Sequence, residues 1–268
     1  MRPCRFMHHQ RWSDALFLHY EVAPDELQRL LPSGLLVDRH EGKAYVGVIA
    51  LSEEGIGPAG VLAPPLLRPL LRLLQVSHHA VNVRTYVRPE CGGPPGIYFF
   101  SLDCSAALPS VGARVLFNLP YCLASMSRSH VDSFTAPSYR LTSRRLGSAA
   151  EFDAEWDGYS AAPQPAPAGS LGAFVAERYC LYNTCGPVLR LLLVLLSRAV
   201  QAVALWRGSI THEPWPLQPA RVTIHRDNMI ETVVGLKPLS DVPIAHCSHP
   251  GVDNIDFYFE PVAQSKAS

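Results

Sequence analysis

The sequence predicts a mainly β (α+β) fold. It reads as a meandering antiparallel sheet or β-barrel, with a few short helices and one inserted apolar helix near 187–206. Three observations carry this. Short runs of β-type residues recur along the whole chain. Pro and Gly separate nearly all of them, as turns between antiparallel strands require. The chain has 268 residues, 48% hydrophobic and 17% charged, enough to bury a core and too apolar for a solvated disordered segment.

In chain order, 15–22 reads as a strand, and Pro24 to Leu31 as a short helix with Leu27, Leu30 and Leu31 on one face, stopped by Pro32 and Gly34. Strands follow at 44–51, 80–87 and 97–103. Later strand candidates are 139–146, 173–182, 221–224, 231–236 and 255–259. Pro64, Pro65 and Pro69 exclude a long helix within 57–74. Pro187 to Trp206 reads as a helix opened by Pro187 and ended before Gly208. Leu189, Leu192, Leu193, Leu196, Val200 and Val203 form its apolar face; Arg190, Ser197, Arg198 and Gln201 gather opposite. Arg198 near the centre costs about 2.5–3.5 kcal/mol in a bilayer, while each Leu or Val returns only about 0.3–0.6. A packed amphipathic helix therefore ranks first, a membrane-surface helix second and a spanning helix last. No internal repeat occurs, and the Pro/Ala-rich stretch 161–168 is too short for a linker, so a single domain is expected.

The formal net charge is zero, which argues against a nucleic-acid-binding surface. Seven cysteines without a CxxC pair read as reduced thiols of a cytoplasmic protein, not as a disulfide framework or a zinc site. The adjacent pairs His8-His9 and His78-His79 point to opposite sides of a strand, so no metal site is expected. No GxSxG or GxxxxGK[ST] motif occurs.

Candidate functional residues come from polar groups at inward-capable positions. On 81–88, alternation places Asn82, Arg84, Tyr86 and Arg88 on one face. Such an Arg–Tyr row either faces solvent or lines a polar cavity that holds a carboxylate. In 174–182, read as a strand, Arg178 and Tyr182 share a face with Phe174, and Glu177 lies opposite. Polar groups on both faces favour a cavity, because a buried Glu or Arg needs a partner. The loop 211–218 holds His212, a proton donor or acceptor, and Trp215, a core plug or a cavity wall.

The stretches 17–27 (FLHYEVAPDEL), 31–35 (LPSGL), 82–87 (NVRTYV), 96–103 (GIYFFSLD), 177–182 (ERYCLY) and 214–218 (PWPLQ) together resemble domain-of-unknown-function family 2071. That family is placed in the acetoacetate decarboxylase-like superfamily. The resemblance runs from about His8 to about Phe259, and it implies one domain over 8–260 built as a curved, partly closed antiparallel β-barrel around a small-molecule cavity. The superfamily's decarboxylases form a Schiff base on a lysine whose pKa a second lysine lowers, in a motif of Pro, two lysines, Leu and Ala. The similar stretch here is Pro120-Tyr121-Cys122-Leu123-Ala124, so Tyr121 and Cys122 stand at the lysine positions. Arg114 matches a family Arg, and Glu21 stands where the decarboxylases carry an Arg. Relatives of this kind have a short turn where 186–206 intervenes here. That insertion is a lid, a membrane-surface helix or a faulty gene model.

Two functions from different classes follow, with a third behind them. The first is an enzyme on a small acidic or phenolic metabolite without a cofactor. Arg84, Arg114 and Arg178 orient the ligand, Tyr86, Glu177, Tyr182 and Trp215 complete its site, and Tyr121, Glu21 or His212 move protons. The second is a non-catalytic small-molecule binding protein on the same barrel. The third is a membrane-associated interaction protein using 187–206. A homo-oligomer is compatible with all three. Tyr cannot form an imine, and only three lysines exist, Lys43, Lys237 and Lys266. Borohydride reduction with acetoacetate is therefore expected to leave the intact protein mass unchanged; a mass gain on any lysine contradicts this.

Overall fold

Strands with apolar residues at every position, such as 44–51, are buried on both faces, and the architecture follows from finding both partners for them. In the computed structural model, which describes residues 5–58, 75–107, 110–111, 114, 118–131, 138–158, 163–184 and 205–261, thirteen strands join into one sheet. They are β1 (Arg5–Val22), β2 (Leu35–Val37), β3 (Ala44–Pro58), β4 (Val76–Pro89), β5 (Gly96–Cys104), β6 (Tyr121–Val131), β7 (Ser138–Arg145), β8 (Glu151–Gly158), β9 (Cys180–Thr184), β10 (Leu205–Thr211), β11 (Leu217–Asp227), β12 (Ile244–Ser248) and β13 (Val252–Pro261). Two short helices accompany them among the described residues, α1 (Pro24–Leu30) and α2 (Leu171–Ala176), with a π-helical turn at Ile230–Val234.

The centre is a four-stranded wall, β1-β3-β4-β5, antiparallel throughout. One edge of β1 pairs first with β13 and then with β12. The change falls at a bulge where Asp14 takes φ 49°, a left-handed conformation that Asp tolerates. The Asp14 carboxylate binds Arg128 of β6 and His249, which anchors the bulge to its neighbours. The free edge of β5 likewise pairs with β9 at Ile97 and with β6 from Leu102 to Cys104, both in parallel. The sheet therefore closes twice: once through β13, β10 and β9, and once through β12, β11, β8, β7 and β6.

Strand alternation sends the two faces of the wall into different cores. Leu16, Leu18, Val46, Val48, Val81 and Val83 pack against Leu141, Phe152, Ala154 and Trp156 in the larger ring. Phe17, Ile49, Leu51, Tyr86 and Ile97 pack against Leu181, Ile210, Trp215 and Ile255 in the smaller one. The β5–β7 contact across the larger ring is ionic: Asp103, fully buried, sits 2.5 Å from Arg145.

The sequence reading needs five corrections. Residues 173–182 are not one strand. Ser170 accepts a hydrogen bond from the Ala173 amide and caps α2, so only Cys180 onward is extended. Residues 231–236 form the π-helical turn instead of a strand, started by the Asp227 carboxylate on the Met229 amide and ended by Gly235 at φ 74°. Leu30 is exposed, because α1 stops there and Leu31 is already extended. Strands β2, β6, β8 and β12 were not predicted, although Phe152, Ala154 and Trp156 alternate inward on β8. The end of the predicted helix 187–206 is strand: Leu205 and Trp206 open β10, and 187–204 lies outside the described residues. Leu205 pairs with Thr184, so the last described residue before this gap and the first after it are neighbours in the sheet. Among the described residues, no helix is long and apolar enough to cross a membrane.

Removing Arg145 leaves Asp103 buried without its cation. Arg145→Met is expected to cost about 3–5 kcal/mol of unfolding free energy, read from urea titration; wild-type stability in this variant contradicts the role given to the pair.

Candidate functional site

The smaller ring holds a cavity of about 70 Å³. Its floor is the wall face that carries Ile49, Leu51 and Glu53 on β3 and Asn82 and Arg84 on β4, each two residues from the next. The strand register sets a transverse row, Ile49, Asn82, Leu102 and Tyr121, across four strands. The next row holds Arg84 opposite Phe99. A one-residue bulge in β5 opposite Val83 and Arg84 shifts the inward positions from 97 and 99 to 102. Phe17 of β1 extends the floor row beside Ile49, and Trp12, His212, Trp215 and Phe257 complete the lining.

Two arginines face this space in unequal electrostatic circumstances. Arg178 is 7% exposed and neutralised: Nη1 lies 2.8 Å from Asp38, Nε donates to the Phe174 carbonyl oxygen, and the guanidinium stacks 4.1 Å over the Phe174 ring. Asp38 also binds Arg88 at 3.0 Å. Arg84 donates to the Val175 carbonyl oxygen at 3.1 Å and lies between the Phe17 and Tyr86 rings, at 5.8 and 6.0 Å. No carboxylate among the described residues pairs with it. Tyr86 does not line the cavity. It is fully buried beneath both arginines, with its hydroxyl 2.5 Å from His19 Nε2. Burial raises the Tyr86 pKa, and Arg84 and Arg178 oppose the rise.

Glu53 is the carboxyl group of the cavity. Burial pushes its pKa from an ordinary 4.5 up to about 7. His78 Nε2 stands 3.8 Å from Glu53 Oε2, and burial pushes His78 down to about 4. Tyr121 is held well above the usual phenol range, first by burial and then by Glu53 and Cys104. It stays a neutral hydroxyl that can donate a hydrogen bond. Burial also lowers the His212 pKa. His212 Nδ1 lies 2.6 Å from the Glu213 carbonyl oxygen, so Nδ1 donates and Nε2 is left as the acceptor.

The structure brings Arg84, Tyr121, Arg178, His212 and Trp215 to this cavity and places the other predicted residues around it. Trp215 is buried, stacked 6.0 Å from Trp12 and edge-on to Phe17 at 5.1 Å. Glu177 accepts the Trp215 amide at 3.0 Å and the Tyr179 hydroxyl, so it fixes the 212–217 loop from behind. Arg114 is exposed and donates to the Tyr121 carbonyl oxygen at 3.0 Å. Glu21 sits outside, in a surface ion pair with Lys43 at 2.8 Å. Tyr182 belongs to a separate small core with Leu35, Val87 and Leu205, its hydroxyl donating to the Pro94 carbonyl oxygen. Glu53 was missed, and Asn82, although placed on the polar face of 81–88, was given no role. Their signal was present in the inward parity of β3 and β4, where a polar residue continues an apolar series.

Comparison with known proteins fits this geometry. The fold is that of acetoacetate decarboxylase-like enzymes. It resembles the enduracididine biosynthesis enzyme MppR with a TM-score of 0.62 at 14% identity, over 100% of this chain and 90% of that one. Against acetoacetate decarboxylase from Legionella pneumophila the TM-score is 0.56 at 14% identity, over 96% and 87%. Residues 9–253 match the DUF2071 family of uncharacterized conserved proteins, and the chain belongs to that family. A relative, the uncharacterized protein YqjF of Bacillus subtilis (strain 168), is 32% identical over 238 residues, 88% of this chain and 85% of that protein.

The Glu53 pKa carries a stability prediction. Its folded value lies above its unfolded one, so its favourable contribution is complete below about pH 4.5 and is lost as pH rises through about 7. Relative to Glu53→Gln, the wild type is expected to lose on the order of 3 kcal/mol between pH 4.5 and 7.5. His78 shifts the other way and stabilises as pH rises from 4 to 6.5, so the difference between the two proteins is the quantity to measure, by urea titration at each pH. A pH-independent difference contradicts the assignment.

Proposed function

We propose that this protein is an enzyme that moves protons on a small carboxylic acid held in the smaller ring. The observation that carries the reading is Arg84, a guanidinium facing the cavity with no carboxylate partner among the described residues. A half-buried charge of this kind is completed by a counterion, and a carboxylate fits the planar fork of donors.

Cavity size narrows the class. One water needs about 10–15 Å³ of such volume, so about 70 Å³ fits roughly five or six heavy atoms beside the wall. That suits acids of three or four carbons better than phenols. MppR, which shares the fold, is known in complex with pyruvate, an acid of this size. Chemistry at the bound acid falls to three groups. Glu53 can both take and return a proton near neutrality, Tyr121 can donate to a developing negative oxygen, and His212 Nε2 can accept. No lysine lines the cavity among the described residues: Lys43 pairs with Glu21 on the surface, and Lys237 is exposed. The reading therefore uses acid–base catalysis where the decarboxylases use an imine.

Binding of propionate, lactate, pyruvate and butyrate, followed by NMR titration, is expected to weaken at least about tenfold in Arg84→Met. For a turned-over acid, exchange of a carbon-bound proton in D₂O is expected in the wild type and lost in Glu53→Gln. Wild-type affinity in Arg84→Met overturns the carboxylate site. Binding without exchange of any of the acids turns the reading into that of a binding protein.

A further inference from the structure

Asn82 is 5% exposed and lines the cavity, and its amide oxygen has no hydrogen-bond partner among the described residues. An amide so placed is costly unless something completes it. Its position is fixed by the wall: it stands two residues from Arg84 on the same strand face, about 6.6 Å away between Cα atoms, and in the row that ends at Tyr121.

We infer that Asn82 is the second recognition point of the site and that the ligand is a hydroxy acid, with its carboxylate on Arg84 and its hydroxyl on Asn82. This rests on the reading of Arg84 as the carboxylate anchor. The amide has an acceptor at one end and two donors at the other. A hydroxyl donates and accepts, so it serves the amide whichever end is turned to the cavity. A keto oxygen only accepts and leaves the amide oxygen unmet. An unsubstituted acid meets neither end. The apolar surroundings of Asn82, Ile49 and Leu102 in its row, offer no other group to complete it.

The test is a ligand ladder: lactate, pyruvate and propionate, and 3-hydroxybutyrate (both enantiomers), acetoacetate and butyrate, titrated into the full chain. In at least one set, the hydroxy acid is expected to bind roughly tenfold or more tighter than the unsubstituted acid, and tighter than the keto acid. In Asn82→Leu the ratio of hydroxy to unsubstituted acid is expected to fall to about one, whereas Arg84→Met weakens all members alike. If Asn82→Leu shows no cooperative melt, the wild-type ladder decides alone. Equal binding within both sets, or a keto acid bound more tightly than its hydroxy partner, overturns the hydroxyl assignment while leaving the Arg84 site standing. Wild-type protein that binds no member of the ladder overturns both.

Discussion

A wall of four strands with no solvent face is the constraint from which the rest of the molecule follows. Leu16 and Leu18 face one core while Ala15 and Phe17 face the other, and the same division runs through β3 and β4. Each face needs its own cover, and a single sheet supplies both only by branching at its edges. The branch on β1 falls at the Asp14 bulge, and the branch on β5 falls between Ile97 and Leu102. The two cores differ in kind. The larger is filled by Phe152, Trp156 and their neighbours, whereas the smaller stops short of filling and leaves the cavity.

Charge inside the smaller ring is unevenly satisfied, and that unevenness gives the site its character. Asp38 is paired with Arg178 and Arg88. Arg84 keeps a positive end open to the cavity. At the other end of the floor, Glu53 lies four residues beyond the row of Asn82 and has lost its preference for the ionised form to burial. A site with a fixed cation at one end and a titrating carboxyl at the other orients an anionic molecule before any chemistry begins.

Much of this was legible in residues. Alternation on 81–88 put Arg84 on the polar face of its strand, with solvent or a cavity as its two possible settings, and the loop 211–218 marked His212 and Trp215 as candidates; the structure places all three at the cavity. The resemblance to family 2071 gave the closed β architecture and put Tyr121 where a lysine acts in the decarboxylases. Other parts were hidden for physical reasons. Glu21 and Glu53 are both glutamates on long strands; only the pairing of β1 with β3 shows that one ends at the surface and the other in the cavity. Residues 173–182 have β-type composition, yet one hydroxyl at Ser170 was enough to start a helix. Tyr182 lies beyond the helix end on a separate strand, so it does not share the face of Arg178 and belongs to another core.

The junction between β9 and β10 bears on how the family can vary. Thr184 and Leu205 face each other as bonded partners, so the length of chain between them is uncoupled from the geometry of the barrel. Closing such an excursion becomes only slightly harder as it grows, by about 0.6 kcal/mol for each doubling. Sequence can therefore be gained or lost here over evolutionary time with little effect on the cavity, whose lining residues on these strands, Leu181 and Ile210, lie several positions from the junction. The same property makes this position a natural graft point for a reporter peptide or affinity handle.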